Sequence, residues 1–210
     1  ASENWRFIDA AIFGTLFERG LDPSKRAQLG AHYTDSGTIL RLLEPAIKRP
    51  LLLEWQHIRD RIATLLSKRD YLRVRAKGIS SKSPGLRERF GRLRSQANEA
   101  EREAKALHSS FLHRLSAFRV LDPACGSGNF LYTALKCLKD IEHLANFQAE
   151  ELGLQRQLSV TGPHNLLGIE TNEFASELAK VTVWIGELQW LREHGYMVHD
   201  TPILQPLDHI

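Results

Sequence analysis

The stretch that most constrains this chain runs from Val120 to Leu131, VLDPACGSGNFL in one-letter code. The apolar run from Phe118 to Leu121, broken only by Arg119, predicts a buried parallel strand. An acid, Asp122, closes it, and a loop of small residues holding Gly126 and Gly128 follows. A helical pattern then begins at once, with Phe130, Leu131, Ala134, Leu135, Leu138, Ile141, Leu144 and Ala145 on one face. Strand, glycine turn and helix in that order make a ligand site at the carboxyl end of a strand, and glycine lets a ligand lie against bare backbone.

A dinucleotide fingerprint would need a third glycine where Leu131 stands, and a P-loop would need Gly-Lys-Ser/Thr after the turn. Neither is present. A second strand is predicted over Asn165–Glu170, and it too ends in an acid. An acid at the tip of the second strand is what ribose recognition requires in nucleotide-binding α/β folds. Asn172 is suited to cap the helix that carries Phe174, Leu178, Val181, Ile185 and Leu188. Trp184 and Trp190 on that helix read as packing residues.

The N-terminal third predicts helices. Trp5, Ile8, Ile12, Phe13 and Leu16 repeat at helical spacing up to Gly20, and Asp22-Pro23 marks a fresh helix start. Thr34, Asp35 and Ser36 are all competent N-caps for an apolar helix holding Ile39, Leu40, Leu42, Leu43 and Ile47. Between Leu51 and Leu115 two long patterns face each other. One is Leu51, Trp55, Ile58, Ile62, Leu65 and Leu72; the other is Leu86, Phe90, Leu93, Ala97, Ala100, Ala104, Leu107 and Phe111. The turn composition of Lys77–Gly85 joins them into a helical hairpin with arms of about 25 residues, roughly 35–40 Å long.

Charge matters because of where it lies. The net charge is +3, yet twelve Lys/Arg against three Asp/Glu between Arg59 and Arg94 give +9 there and leave −6 for the rest. Arg73, Arg75, Lys77, Lys82, Arg87, Arg89, Arg92 and Arg94 crowd toward the tip, as candidates for contact with the phosphates of double-stranded DNA. A solvated charged face on a two-helix spacer is the plainer alternative. Two cysteines, Cys125 and Cys137, make no disulfide framework and no zinc site, and the nine histidines show no metal spacing. No apolar run approaches the ~18 residues of a membrane span, and no signal peptide is visible. The expectation is a cytoplasmic, metal-free α/β protein.

The segment DPACGSGNF resembles motif I of S-adenosylmethionine (SAM)-dependent DNA methyltransferases of the amino-methylating branch. His32-Tyr33-Thr34 resembles motif X of the same enzymes, and Gly168-Ile169-Glu170 their motif II. The order X, I, II is similar to adenine-N6 methyltransferases of the gamma arrangement. The segments FGTLF from Phe13, LGAHYT from Leu29 and WIGELQW from Trp184 resemble the large modification proteins of bacterial restriction–modification systems. The resemblance implies a Rossmann-like SAM-methyltransferase sheet, present in part, behind N-terminal helices (1–49) and a basic hairpin (50–116), with the cofactor portion over 117–210. It further implies that Tyr33 and Thr34 meet the methionine end of SAM and that Asp122 holds its amino group. Pro123, Ala124, Cys125, Gly126, Gly128, Asn129 and Phe130 would form the floor, Glu170 would grip the ribose, and Thr171 would lie by the adenine. The branch commonly has proline where Asp35 stands.

No Asn/Asp/Ser-Pro-Pro-Tyr/Phe motif occurs, since the eight prolines never pair. Adenine's exocyclic amine is a poor nucleophile, so transfer needs acceptors on the amine and an aromatic face for the flipped base. The expectation is therefore a SAM-binding portion that lacks the catalytic and target-recognition regions and is inactive alone. A SAM enzyme for RNA, protein or a small molecule, and a non-catalytic nucleic-acid-binding module, are the alternatives.

Overall fold

The computed structural model describes residues 34–79, 84–196 and 204–210, with Ile12 in isolation. The helices expected before residue 33, Tyr33 itself and Lys82 lie outside the described residues. The described chain is mostly helical, with one two-stranded parallel sheet.

Helix α1 (Ser36–Leu43) is capped by Asp35, whose Oδ1 accepts from the Thr38 amide at 3.0 Å and whose Oδ2 accepts from the Thr38 hydroxyl at 2.6 Å. These bonds hold the Asp35 carboxyl below its ordinary range. A wide π-turn over Glu44–Lys48 follows, closed by the Arg49 amide on the Glu44 carbonyl. Pro45 within it and Pro50 just after it offer no amide to an ordinary helical ladder. Helices α2 (Arg49–Lys77) and α3 (Pro84–Ser116) form the hairpin. At 29 and 33 residues the arms exceed the expected length, about 44 and 50 Å.

Strand β1 (Val120–Asp122) leads through the glycine loop into α4 (Asn129–Glu151). Gly153, at φ +90°, ends that helix as a left-handed cap residue. A single 3-10 turn (Pro163–Asn165) enters β2 (Leu166–Gly168), and α5 (Glu173–Glu193) starts on Asn172, whose side chain accepts from the Ala175 amide at 3.1 Å. β1 and β2 pair in parallel, Val120 with Leu166 and Asp122 with Gly168. The Gly168 amide turns to the other edge of β2 and donates to the His209 carbonyl at 2.9 Å, so His209 lies along that edge.

The chain divides into two units. The first draws on residues up to Arg49, Ser116–Asp140 and Thr161–Ile210; the second on Pro50–Leu115 and Ile141–Val160. In the first, Leu131, Ala134, Leu135, Leu138, Leu166, Ala179 and Val183 are buried. Lys139 is buried with them: its ammonium donates to Glu187 at 2.8 Å and to the Thr161 carbonyl at 3.2 Å, and lies 4.7 Å from the centre of the Trp190 ring. Trp190, read from sequence as packing, is buried and donates to Asp140 at 2.7 Å.

In the second unit the seam differs in detail from its sequence pattern. Leu66 is buried where Leu65 was expected, and His108 where Leu107 was expected. Two adjacent side chains differ by only 100° around a helix, so spacing alone does not choose between them. Ala97, Ala100 and Ala104 form the narrow part of the seam. Trp55 stacks near Phe111, with ring centres 5.1 Å apart, and donates to Gln148 at 2.7 Å. The Glu142 carboxylate accepts from the Val160 amide at 2.7 Å and from Ser159 at 3.1 Å, tying down the loop after α4.

Candidate functional site

The parallel ladder continues past the strands. The Ile169 amide donates to the Asp122 carbonyl at 2.9 Å, and the Cys125 amide to the Ile169 carbonyl at 3.0 Å. These two bonds carry the acid of each strand to the same sheet end. Asp122 is half-buried, and its Oδ1 accepts from the Ala124 amide at 3.1 Å across Pro123. Glu170 reaches the glycine loop itself: Oε2 accepts from the Gly126 amide at 2.9 Å and Oε1 from the Asn172 amide at 2.9 Å. Oε1 also accepts from the Thr171 hydroxyl at 3.5 Å, while Oε2 keeps a second lone pair. Burial, and then the neighbouring Glu170, push the Asp122 carboxyl above its ordinary range.

The two loop glycines do different work. Gly126 has φ +52°, and among the described residues no atom lies within 4 Å of where a side chain would start, so no described side chain covers its outer face. Gly128 has φ +86°, and a Cβ there would lie 2.8 Å from the Ala179 backbone. Gly128 therefore permits the approach of α5 to the loop. Cys125 is buried, and its thiol is pushed up to about 11 by burial first and then by Asp122 and Glu170. Such a thiol is protonated at neutral pH and is no nucleophile. It fills the space that Gly168 leaves, alongside Leu131 and Ile210.

Asn129, the first residue of α4, is buried, and its Nδ2 donates to the Thr34 carbonyl at 2.7 Å. This bond spans 95 residues of sequence and brings the segment before α1 to the mouth of the glycine loop. The Asn129 Oδ1 is buried without a hydrogen-bond partner among the described residues. Phe130 is half-buried, while Pro123, Ala124 and Thr171 are exposed. Thr34, the glycine loop and Glu170 thus come together. The Asn129–Thr34 tie is not legible from sequence, because it joins segments 95 residues apart and neither stretch alone encodes it.

Among the described residues no group of three or more His, Cys, Asp or Glu is arranged to hold a metal ion, and no helix is long and apolar enough to cross a membrane.

The family model of the MmeI DNA-methyltransferase domain matches residues 96–209, just over half of the chain and all of the site except Thr34. The chain belongs to this family. DNA methyltransferase A of Bacillus subtilis is 25% identical over 198 residues, which is 94% of this chain and 18% of that protein. A Methanocaldococcus jannaschii protein named for type II restriction and methyltransferase functions is 33% identical over 103 residues, 48% of this chain and 9% of that one. The solved structure of MmeI, a type IIL restriction-modification enzyme in complex with DNA, superposes on 93% of this chain with a TM-score of 0.63 and 25% identity. The chain spans 22% of that structure. It is thus about a fifth or less of the length of each of these relatives.

Proposed function

We propose that this chain is the SAM-binding part of a DNA methyltransferase of a restriction–modification system, and that the methylated position is the N6 amine of adenine. The observation that carries this reading is the pair of carboxylates, Asp122 and Glu170, set around the open face of Gly126. A half-buried Asp122 beside a second acid suits a ligand with a positive amino group, which offsets their repulsion. Glu170, already fixed by two backbone amides, keeps a lone pair on Oε2 for one ribose hydroxyl, and a second hydroxyl can take the place of the long Thr171 bond on Oε1. The Asn129 Oδ1, without a partner among the described residues, offers a further acceptor beside Thr34. These groups fit SAM in charge and in hydrogen-bonding capacity.

When bound, SAM supplies a methyl group on a sulfonium, which an amine can take directly. The residues of this chain bind and orient: Asp122 and Asn129 toward the amino-acid end, Gly126 along the floor, Glu170 and Thr171 toward the ribose and base. The two-stranded parallel sheet, with His209 along the second edge of β2, is consistent with part of a Rossmann-like sheet.

The test is product analysis on the full protein that contains this chain. Incubation with SAM and unmethylated duplex DNA, followed by nucleoside mass spectrometry, is expected to yield N6-methyladenine. A methylated cytosine would refute the adenine assignment, and methyl transfer only to RNA or protein would refute the substrate class.

A further inference from the structure

The far end of the hairpin carries a feature that the cofactor site does not use. From Lys68 to Arg94 there are ten Lys/Arg and two Asp/Glu, a local balance of +8. Residues 84–96 of α3 include no buried side chain, so this end stands in solvent. Between the two helices near it runs a groove of about 510 Å³. Its walls are basic, from Arg73 and Lys77 on α2 and Arg94 on α3, and its apolar lining includes Val74 and Phe90.

The ion pairs sort these charges. Arg73 is matched by Glu101 and Arg92 by Glu88, while Asp70, the acid at the groove, is already neutralised by Arg69 at 2.8 Å. Lys77, Arg87 and Arg94 have no carboxylate partner among the described residues. Arg87, Phe90 and Arg94 follow at steps of three and four, so Arg87 extends the groove's face on α3. Arg87 and Arg94 are separated by seven residues, about 10 Å of helix rise. That is close to the advance of three phosphates of one strand along the duplex axis, at about 3.4 Å each. Three uncommitted cations along an apolar floor match a sugar–phosphate strand, whose sugars are partly apolar and whose phosphates repeat. An isolated small anion would use one of the three.

We infer that the groove at the hairpin tip, with Lys77, Arg87 and Arg94, grips the backbone of duplex DNA without reading its sequence. The choice of partner rests on the methyltransferase reading; the site itself does not involve the cofactor residues. Of the eight basic residues that sequence singles out, Arg73, Lys77 and Arg94 line the groove, and Arg75 instead lies over the Tyr71 ring at 5.5 Å.

The experiment is fluorescence anisotropy of the chain with a labelled duplex of arbitrary sequence, between about 50 and 200 mM salt. The triple variant Lys77→Ala/Arg87→Ala/Arg94→Ala is compared with Arg41→Ala/Lys180→Ala/Arg192→Ala, which removes the same charge from the other unit. The tip variant is expected to lose at least about tenfold in affinity, and its salt slope to flatten by about 2–3, near 0.9 per phosphate contact. The control variant should change little. No binding by the parent chain, equal loss in both variants, or equal capture of polyglutamate by the tip would each overturn the inference. SAM titration of the tip variant separates the two readings: unaltered cofactor binding with lost DNA binding is the expected pair, and loss of both would mean that the substitutions act through the fold.

Discussion

Gly126 and Gly128 are two residues apart, both have positive φ, and they should fail differently. Gly128→Ala forces a methyl group against the Ala179 backbone as well as a left-handed alanine. Overpacking of that kind costs about 1–3 kcal/mol, on top of about 1–2 kcal/mol for the conformation. Gly126→Ala bears only the conformational cost, because the space beside it is open. Chemical denaturation should therefore show Gly128→Ala as the more destabilised, while SAM titration of the folded Gly126→Ala should show weakened binding. Equal stability losses would mean that α5 does not depend on the loop glycine. Asp122 makes stability depend on pH in one direction. Its folded-state carboxyl titrates above its unfolded value, so its contribution to stability is fully present below the unfolded value and is lost as pH rises through the folded one. At neutral pH an ionised Asp122 is a burden on the free protein. Asp122→Asn should raise the melting temperature at pH 7, lose that gain in acid, and weaken SAM binding, an exchange of stability for function.

Among the elements, α4 and α5 are tied by a charge pair inside an apolar layer. Removing one partner of such a pair leaves the other buried and uncompensated, which typically costs about 3–5 kcal/mol. Lys139→Met should fall in that range by urea denaturation, and Lys139→Met/Glu187→Gln should recover part of the loss; no loss in the single variant would contradict the burial. This pair also marks a limit of reading elements from sequence. The helical pattern of α4 and the caps at Asp35, Gly153 and Asn172 were legible, because apolar periodicity and capping chemistry are local. That Lys139, Glu142 and Asn146 face inward was not. Each sits one helical step from an apolar residue, and only the carbonyls, amides and carboxylates that distant segments bring to them make their burial tolerable.

For the whole molecule, the candidate site is assembled from three separated pieces: Thr34, the loop from Asp122 to Asn129, and Glu170. The two acids were legible as residues at or just past the strand ends, and the loop as a glycine turn between strand and helix, because strand–turn–helix order dictates both. What joins them, the Glu170 carboxylate on the Gly126 amide and the Asn129 amide on the Thr34 carbonyl, depends on strand register and loop closure, which no single stretch encodes. We propose that this assembly is a SAM pocket. Titration calorimetry of the chain with SAM, beside Asp122→Ala and Glu170→Ala, tests it most directly. Saturable binding by the parent chain is expected, with a loss of at least about tenfold in each variant, about 1.4 kcal/mol or more. Binding that neither substitution weakens would contradict it.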